Sequence, residues 1–206
     1  MEITIANERL HLLPERALFL ESFKTLILSD LHLGKAGHFR KHGIPISKKI
    51  HNTDLAILEM LIKKHMPNQV ILLGDLFHSH ENNEWNDFLR FLAVYDFVDF
   101  TLVEGNHDIL SDYPSALSVI PYLEIGPFSL THIKEDSTKY NLSGHIHPGV
   151  SVKGRGKQSI TLPCFYFSDG YGILPAFGQF TGIKKIRPKK KDVVYGIADN
   201  QVIELT

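Results

Sequence analysis

Five short stretches constrain this chain more than anything else in it. They read Asp30-Leu31-His32, Gly74-Asp75, Gly105-Asn106-His107-Asp108, His132, and Gly144-His145-Ile146-His147, and they lie far apart in 206 residues. Each holds a metal-ligand residue type, and four of the five follow an apolar run of strand character. Strands that end together at one sheet edge bring distant ligands to one crevice. Asp30, His32, Asp75, Asn106, His132, His145 and His147 are the candidate ligands, with His107 and Asp108 left over for chemistry. The pattern predicts a two-metal hydrolytic site.

Composition narrows the class without naming it. A chain of this length that is 43% hydrophobic predicts one sizeable domain over residues 1–206. No apolar run approaches the ~18 residues a membrane helix needs, so no membrane association is expected. The N-terminus lacks the basic region and long apolar core of a secretory signal. Cys164 is the one cysteine, which fits a reducing cytoplasm and reads as a small strand residue in Leu162-Pro163-Cys164-Phe165. Net charge is -1, but six of the 22 basic residues fall between Lys184 and Lys191 with no acid among them. That run reads as a solvated surface or hairpin tip. Together with Lys153, Arg155 and Lys157 it also offers a track for a nucleic-acid backbone.

Residues 2–5, 9–13 and 17–20 read as short antiparallel strands. Thr25–Ser29, Val70–Leu73 and Phe97–Val103 read as buried strands. A helix capped by Thr53 and running to about His65 separates the first two. A second helix over roughly Asn83–Ala93 separates the next two. This β-α-β-α-β rhythm predicts a parallel sheet covered by helices. From Pro121 onward no amphipathic helix is evident, so residues 121–204 read as a second sheet. Its closing hairpin turns at Asp199-Asn200. Gly34–Ile46, rich in His, Gly and basic residues, reads as a functional loop.

The ligand chemistry follows from residue type. In an extended segment residues i and i+2 point the same way, so Asp30 and His32 can serve one ion, and His145 and His147 a common pair. Gly74 lets the backbone turn sharply before Asp75, whose two oxygens can bridge two ions. Asn106 adds a neutral oxygen. Imidazole and oxygen donors together suit Mn²⁺, Fe or Zn²⁺ better than Ca²⁺ or Mg²⁺ alone. His107, with Asp108 beside it to orient the ring, reads as a general acid. Arg40 reads as a phosphate clamp and His78 as a residue near the leaving group.

The order of these motifs resembles the calcineurin-like metallophosphoesterase superfamily. The resemblance implies an α/β fold, a two-sheet β-sandwich flanked by helices, with a dinuclear metal site at the strand ends. It implies one ion on Asp30, His32 and His147, a second on Asn106, His132 and His145, Asp75 bridging them, and His107 as the acid. Two such ions would acidify bound water and so supply the nucleophile for attack on phosphorus. A narrower likeness covers nearly the whole chain. Asp30-Leu31-His32-Leu33-Gly34-Lys35-Ala36, Gly74-Asp75-Leu76-Phe77-His78-Ser79, Asn141–Pro148 and Leu162–Phe165 resemble the ligase-associated DNA damage response endonucleases. So does Leu174-Pro175-Ala176-Phe177-Gly178 with Phe180-Thr181-Gly182. That likeness implies a Mn²⁺-dependent phosphodiesterase acting on DNA, alongside a DNA ligase and a helicase. The other enzymatic reading is a phosphomonoesterase or nucleotide hydrolase on the same site.

Overall fold

The structure, a computed structural model, describes residues 1–33, 49–77, 83–108, 113–154, 156 and 158–205. Apolar side chains alternate along the N-terminal segments, and those segments form an antiparallel meander of β1 (Glu2–Ile5), β2 (Glu8–Leu13) and β3 (Ala17–Leu20). Ala6 and Asn7, both at positive φ, make the first two-residue turn. β3 pairs antiparallel with β4 (Thr25–Ser29). From β4 the sheet continues in parallel through β5 (Gln69–Leu73), β6 (Asp99–Val103) and β7 (Leu117–Ile120).

The crossovers carry α1 (Lys49–His65) and α2 (Asn83–Val94). α1 begins four residues before Thr53, which lies inside the helix rather than capping it. Its first turn contains a single apolar residue, Ile50, and so carries no periodic signal. The helix ends where Met66 turns to φ +45 and its N–H returns to Ile62, just before Pro67.

Both faces of this sheet are covered, which is why β4, β5 and β6 read as continuous apolar runs. Leu26, Leu28, Val70 and Leu72 pack against Leu58, Leu61 and Phe88 of the helices. Ile27, Ile71, Leu73 and Val103 face the other way, onto Phe128, Leu142, Phe165 and Phe167 of a second sheet. That sheet contains β8 (Leu123–Ile125), β9 (Phe128–Leu130), β10 (Tyr140–Ser143), β11 (Pro148–Lys153), β12 (Ser159–Ser168) and β13 (Tyr171–Ile173). β14 (Lys184–Lys185), β15 (Val193–Ala198) and β16 (Gln201–Glu204) complete it. The strand order is β14-β11-β12-β13-β10-β9-β8, and the β15–β16 hairpin is attached to β12 and turns at Asp199-Asn200. Cys164 is a buried residue of β12, and burial pushes its thiol up to about 12, so it is no thiolate at neutral pH.

The basic run is not a hairpin tip. It starts at the edge strand β14 and then lies over the face of the second sheet away from the inter-sheet core. Ile186 packs there with Val150 and Tyr171 on Cys164, Tyr166 and Val194. Asp192 anchors its far end, accepting the Tyr166 hydroxyl at 2.7 Å, the Ser168 hydroxyl at 2.8 Å and the Lys189 N–H at 2.5 Å. No helix among the described residues is long and apolar enough to cross a membrane.

Candidate metal centre

All five motif stretches follow strands. Asp30 follows β4, Asp75 follows β5, the 105–108 stretch follows β6, His132 follows β9, and the 144–147 stretch follows β10. β9 has only three residues, which hid it in the sequence. The loops after β4 and β5 are zipped together. Asp30, His32 and Leu33 donate their N–H groups to the carbonyls of Gly74, Asp75 and Leu76 at 3.2, 2.9 and 2.8 Å. The second sheet joins them where the His145 N–H donates to Asp30 Oδ2 at 2.9 Å, and its own two ligand loops are tied by the Gly144 N–H to His132 O at 3.0 Å.

The backbone at the ligands is not extended. Asp30, His32, Asp75, His145 and His147 all have φ between 50° and 66°. Asp30 and His32 therefore converge through two left-handed turns instead of the simple i, i+2 alternation of a strand. Close approach also demands glycine beside the ligands. A Cβ on Gly144 would lie 2.6 Å from Asp30 Oδ2, and Gly74, at φ +71, leaves no room for one against the His132 ring.

Two groups of donors result. In the first, His147 Nε2 lies 3.1 Å from Asp30 Oδ1 and 3.3 Å from His32 Nε2. In the second, His132 Nε2 lies 3.1 Å from Asn106 Oδ1, 3.1 Å from His145 Nδ1 and 3.3 Å from Asp75 Oδ1. Asp75, a member of the second group, also reaches toward the first, its Oδ2 lying 3.8 Å from His32 Nε2. Such separations suit ligands that each sit ~2.0–2.2 Å from a shared ion.

The protons settle whether a cation fits. His132 Nδ1 lies 2.8 Å from the Leu73 carbonyl, and His147 Nδ1 lies 3.1 Å from the Gly182 carbonyl. A carbonyl only accepts, so both Nδ1 atoms carry a hydrogen, and Nε2 is the ring atom turned inward and available as a ligand. Asp30 Oδ1 is buried and faces His147 Nε2 at 3.1 Å. Carboxylate oxygens and imidazole nitrogens this close in a buried site need positive charge between them, which protons or a metal ion can supply. Burial pulls the Asp30 carboxyl upward, but His147, His132 and His32 outweigh it and hold it below the usual carboxylate range. Burial, then His132, pushes the His145 imidazole down. Both shifts favour the deprotonated, ligating forms. The donor set fits two divalent ions.

His107 is exposed beside this centre, its N–H donating to Asp75 Oδ1 at 3.0 Å and its ring edge-on to His32. Asp108 is buried, and burial raises its carboxyl. Its described hydrogen bonds go to backbone. Oδ1 accepts the N–H groups of Leu76 and Phe77 at 2.9 and 3.4 Å, and Oδ2 accepts that of Gly105 at 2.9 Å. Through these bonds Asp108 locks the Asp75 and Asn106 loops together. Arg40 and His78 lie outside the described residues, as do Arg155 and Lys157. The Leu73 and Gly182 carbonyls, which fix two tautomers, carry no side-chain signal in the sequence.

Residues 23–192 match the profile of the calcineurin-like phosphoesterases. The chain belongs to that family. It is an enzyme, a metal-dependent phosphoesterase, and the α/β two-sheet architecture agrees with the family's. This phosphoesterase is similar over its full length to the nuclease MPE of Pseudomonas putida. The TM-score is 0.84 with 26% identity, covering 100% of this chain and 99% of that one. It is more distantly similar to the E. coli phosphoesterase YfcE, with TM-score 0.43 and 14% identity over 88% of this chain and 97% of that one. No curated protein sequence matches it.

Proposed function

We propose that this phosphoesterase is a Mn²⁺-dependent phosphodiesterase that cuts DNA internally, in a repair context in the cytoplasm, in functional association with a DNA ligase and a helicase. The observation that carries the reading is the full-length structural similarity to a nuclease, with both donor groups assembled in this chain. The extended motifs shared with the ligase-associated endonucleases support the repair context.

Asp30, His32 and His147 would hold one ion, Asn106, His132 and His145 the other, and Asp75 both. Two divalent ions supply Lewis acidity toward the phosphoryl oxygens and acidify bound water to near neutrality. The chain's own part is positional. Leu73 and Gly182 keep His132 and His147 in the ligating tautomer. Asp108 keeps the Asp75 and Asn106 loops in register. His107 stands exposed to protonate the leaving oxygen, and Arg40 and His78 would meet the substrate phosphate and leaving group.

The test is metal-free protein reconstituted with Mn²⁺, Zn²⁺ or Fe²⁺ and assayed on a nitrophenyl diester, a nitrophenyl monoester and circular single-stranded DNA. Diester hydrolysis and opening of the circle, strongest with Mn²⁺, are expected. Turnover of the monoester alone would replace this reading with a phosphomonoesterase or nucleotide hydrolase.

A further inference from the structure

The two histidines whose rings are fixed by carbonyls are not held alike. His132 gives its Nδ1 hydrogen to Leu73, a buried residue of β5 in the middle of the first sheet. His147 gives its own to Gly182, an exposed residue in the segment that joins β13 to β14. The imidazole is aimed only as firmly as that carbonyl is placed, and a carbonyl has no side chain to lock it.

The segment is fastened on the near side of Gly182. The Phe177 N–H donates to Ser29 O at 2.8 Å and the Gly178 N–H to Asp30 O at 3.2 Å. A Cβ on Gly178 would fall 2.5 Å from Leu31 O, so the two backbones are in contact. The chain then turns, and the Thr181 hydroxyl closes the turn on Gly178 O at 2.9 Å. Gln179, Gly182 and Ile183 are exposed, so burial does little to fix the backbone across this turn.

A buried carboxylate reaches it instead. The Gln179 N–H donates to Asp54 Oδ1 at 3.2 Å, and Asp54 is only 5% exposed. Asp54 belongs to α1, where the neighbouring Leu55 and Leu58 are set in the core between helices and sheet. The acceptor therefore cannot follow the turn if the turn drifts. A charged acceptor also makes the bond roughly twice as strong as a neutral one. The charge has a counterpart in Arg16, in the turn between β2 and β3. Burial lowers the pKa of the Arg16 guanidinium and Asp54 raises it.

We propose that Asp54 is a positioning residue of the metal centre: by holding the Gln179 N–H it fixes the turn that carries the Gly182 carbonyl, and so aims His147 at the first ion. This rests on the ion assignment above. It adds that the two ions depend unequally on the helix layer, the first through this turn and the second not at all.

Zinc titration into metal-free protein tests it, followed by nuclear magnetic resonance of isotope-labelled imidazole nitrogens. The His147 ring reports the first ion and the His132 ring the second. Asp54→Ala should weaken Zn²⁺ at His147 by about 10- to 100-fold, the usual cost of losing an outer partner of a ligating imidazole. The ion at His132 should keep the parent's affinity. Asp54→Asn still offers an oxygen to the Gln179 N–H and should stay near the parent at both. Equal losses at the two ions, or none at His147, overturn the assignment, as does an Asp54→Asn protein as weak as Asp54→Ala. Asp54→Ala leaves the half-buried Arg16 without its counter-charge, which can cost the fold itself. If its melting curve shows no folded state, Asp54→Ala is read in an Arg16→Gln background against Arg16→Gln alone. A parent whose imidazoles do not respond to Zn²⁺ overturns the ion assignment rather than the role of Asp54.

Discussion

Gly74→Ala should disable the site through one methyl group. A Cβ there would fall 2.3 Å from Nδ1, 2.4 Å from Cγ and 2.7 Å from Cβ of His132. Carbon atoms rest ~3.5–4.0 Å apart, so the ring must retreat by about 1 Å. Rotation of the imidazole gives no relief, because its own Cβ is among the atoms struck. The retreat breaks the 2.8 Å bond from Nδ1 to Leu73 O and draws Nε2 away from Asp75 and Asn106. Two costs add. Alanine at φ +71 costs about 1–2 kcal/mol, and the stranded carbonyl about 1–3 kcal/mol. For a chain of this length each kcal/mol lowers the melting midpoint by about 2–4 °C, so a fall of roughly 4–20 °C is expected. A misplacement of ~1 Å is worth about 100-fold in rate. The measurements are calorimetry, metal content by elemental analysis and hydrolysis of a nitrophenyl diester. Gly154→Ala is the control, since its nearest contact would be 3.9 Å away. A Gly74→Ala protein with two ions, the parent's midpoint and the parent's rate would refute the placement of His132.

Three further outcomes are expected. Mn²⁺ at a hundred times its Kd should stabilise the fold by about 2.7 kcal/mol per site, and a chelator should reverse it; a melting curve indifferent to Mn²⁺ would rule out the donor assignment. His107→Ala should keep its metal and lose about 10²–10⁴-fold on alkyl diesters but less on nitrophenyl ones, whereas loss of metal would make His107 a ligand. Burial raises the Asp192 carboxyl, but Tyr166, the Lys189 N–H and Ser168 outweigh it and hold it low. Its stabilisation is therefore full above the unfolded pKa of ~3.9 and lost as pH falls through the lower folded value. Asp192→Asn should cost about 1–3 kcal/mol at neutral pH and flatten the acid limb of the stability curve. Identical acid limbs in variant and parent would show that the anchor does not act through its charge.

The sequence was most legible where one local rule decides the structure. β4, β5 and β6 are apolar on both faces and read directly as buried strands. Asp199-Asn200, both at positive φ, read as a hairpin turn because such turns favour these residue types. β7 escaped because four residues with a serine inside carry no period, and only pairing with β6 makes Leu117–Ile120 a strand. The cations of the basic run are exposed, as a solvated surface requires, but its anchoring on the second sheet was hidden for a related reason. What holds it, Asp192 on Tyr166 and Ser168, joins residues more than twenty positions apart. The donor residues could be picked out by type and order. Their left-handed backbone could not, because His and Asp seldom adopt it without the tertiary contacts that impose it.

That backbone makes the centre a standing liability for the fold. His32, His145 and His147 sit at φ of 50°, 66° and 52°, where a side chain with a Cβ is disfavoured by about 1–2 kcal/mol. For these three alone the sum is roughly 3–6 kcal/mol, against a total stability of about 5–15 kcal/mol for a typical domain. Glycine would relieve it at each position, at the loss of a donor. In the absence of metal, His145→Gly should therefore melt above the parent; with Mn²⁺ present the order should invert. An equal or lower metal-free midpoint for His145→Gly would deny the trade. If it holds, drift in a lineage released from the reaction would run downhill toward a sturdier and inert protein, and selection on turnover alone keeps the histidines in place.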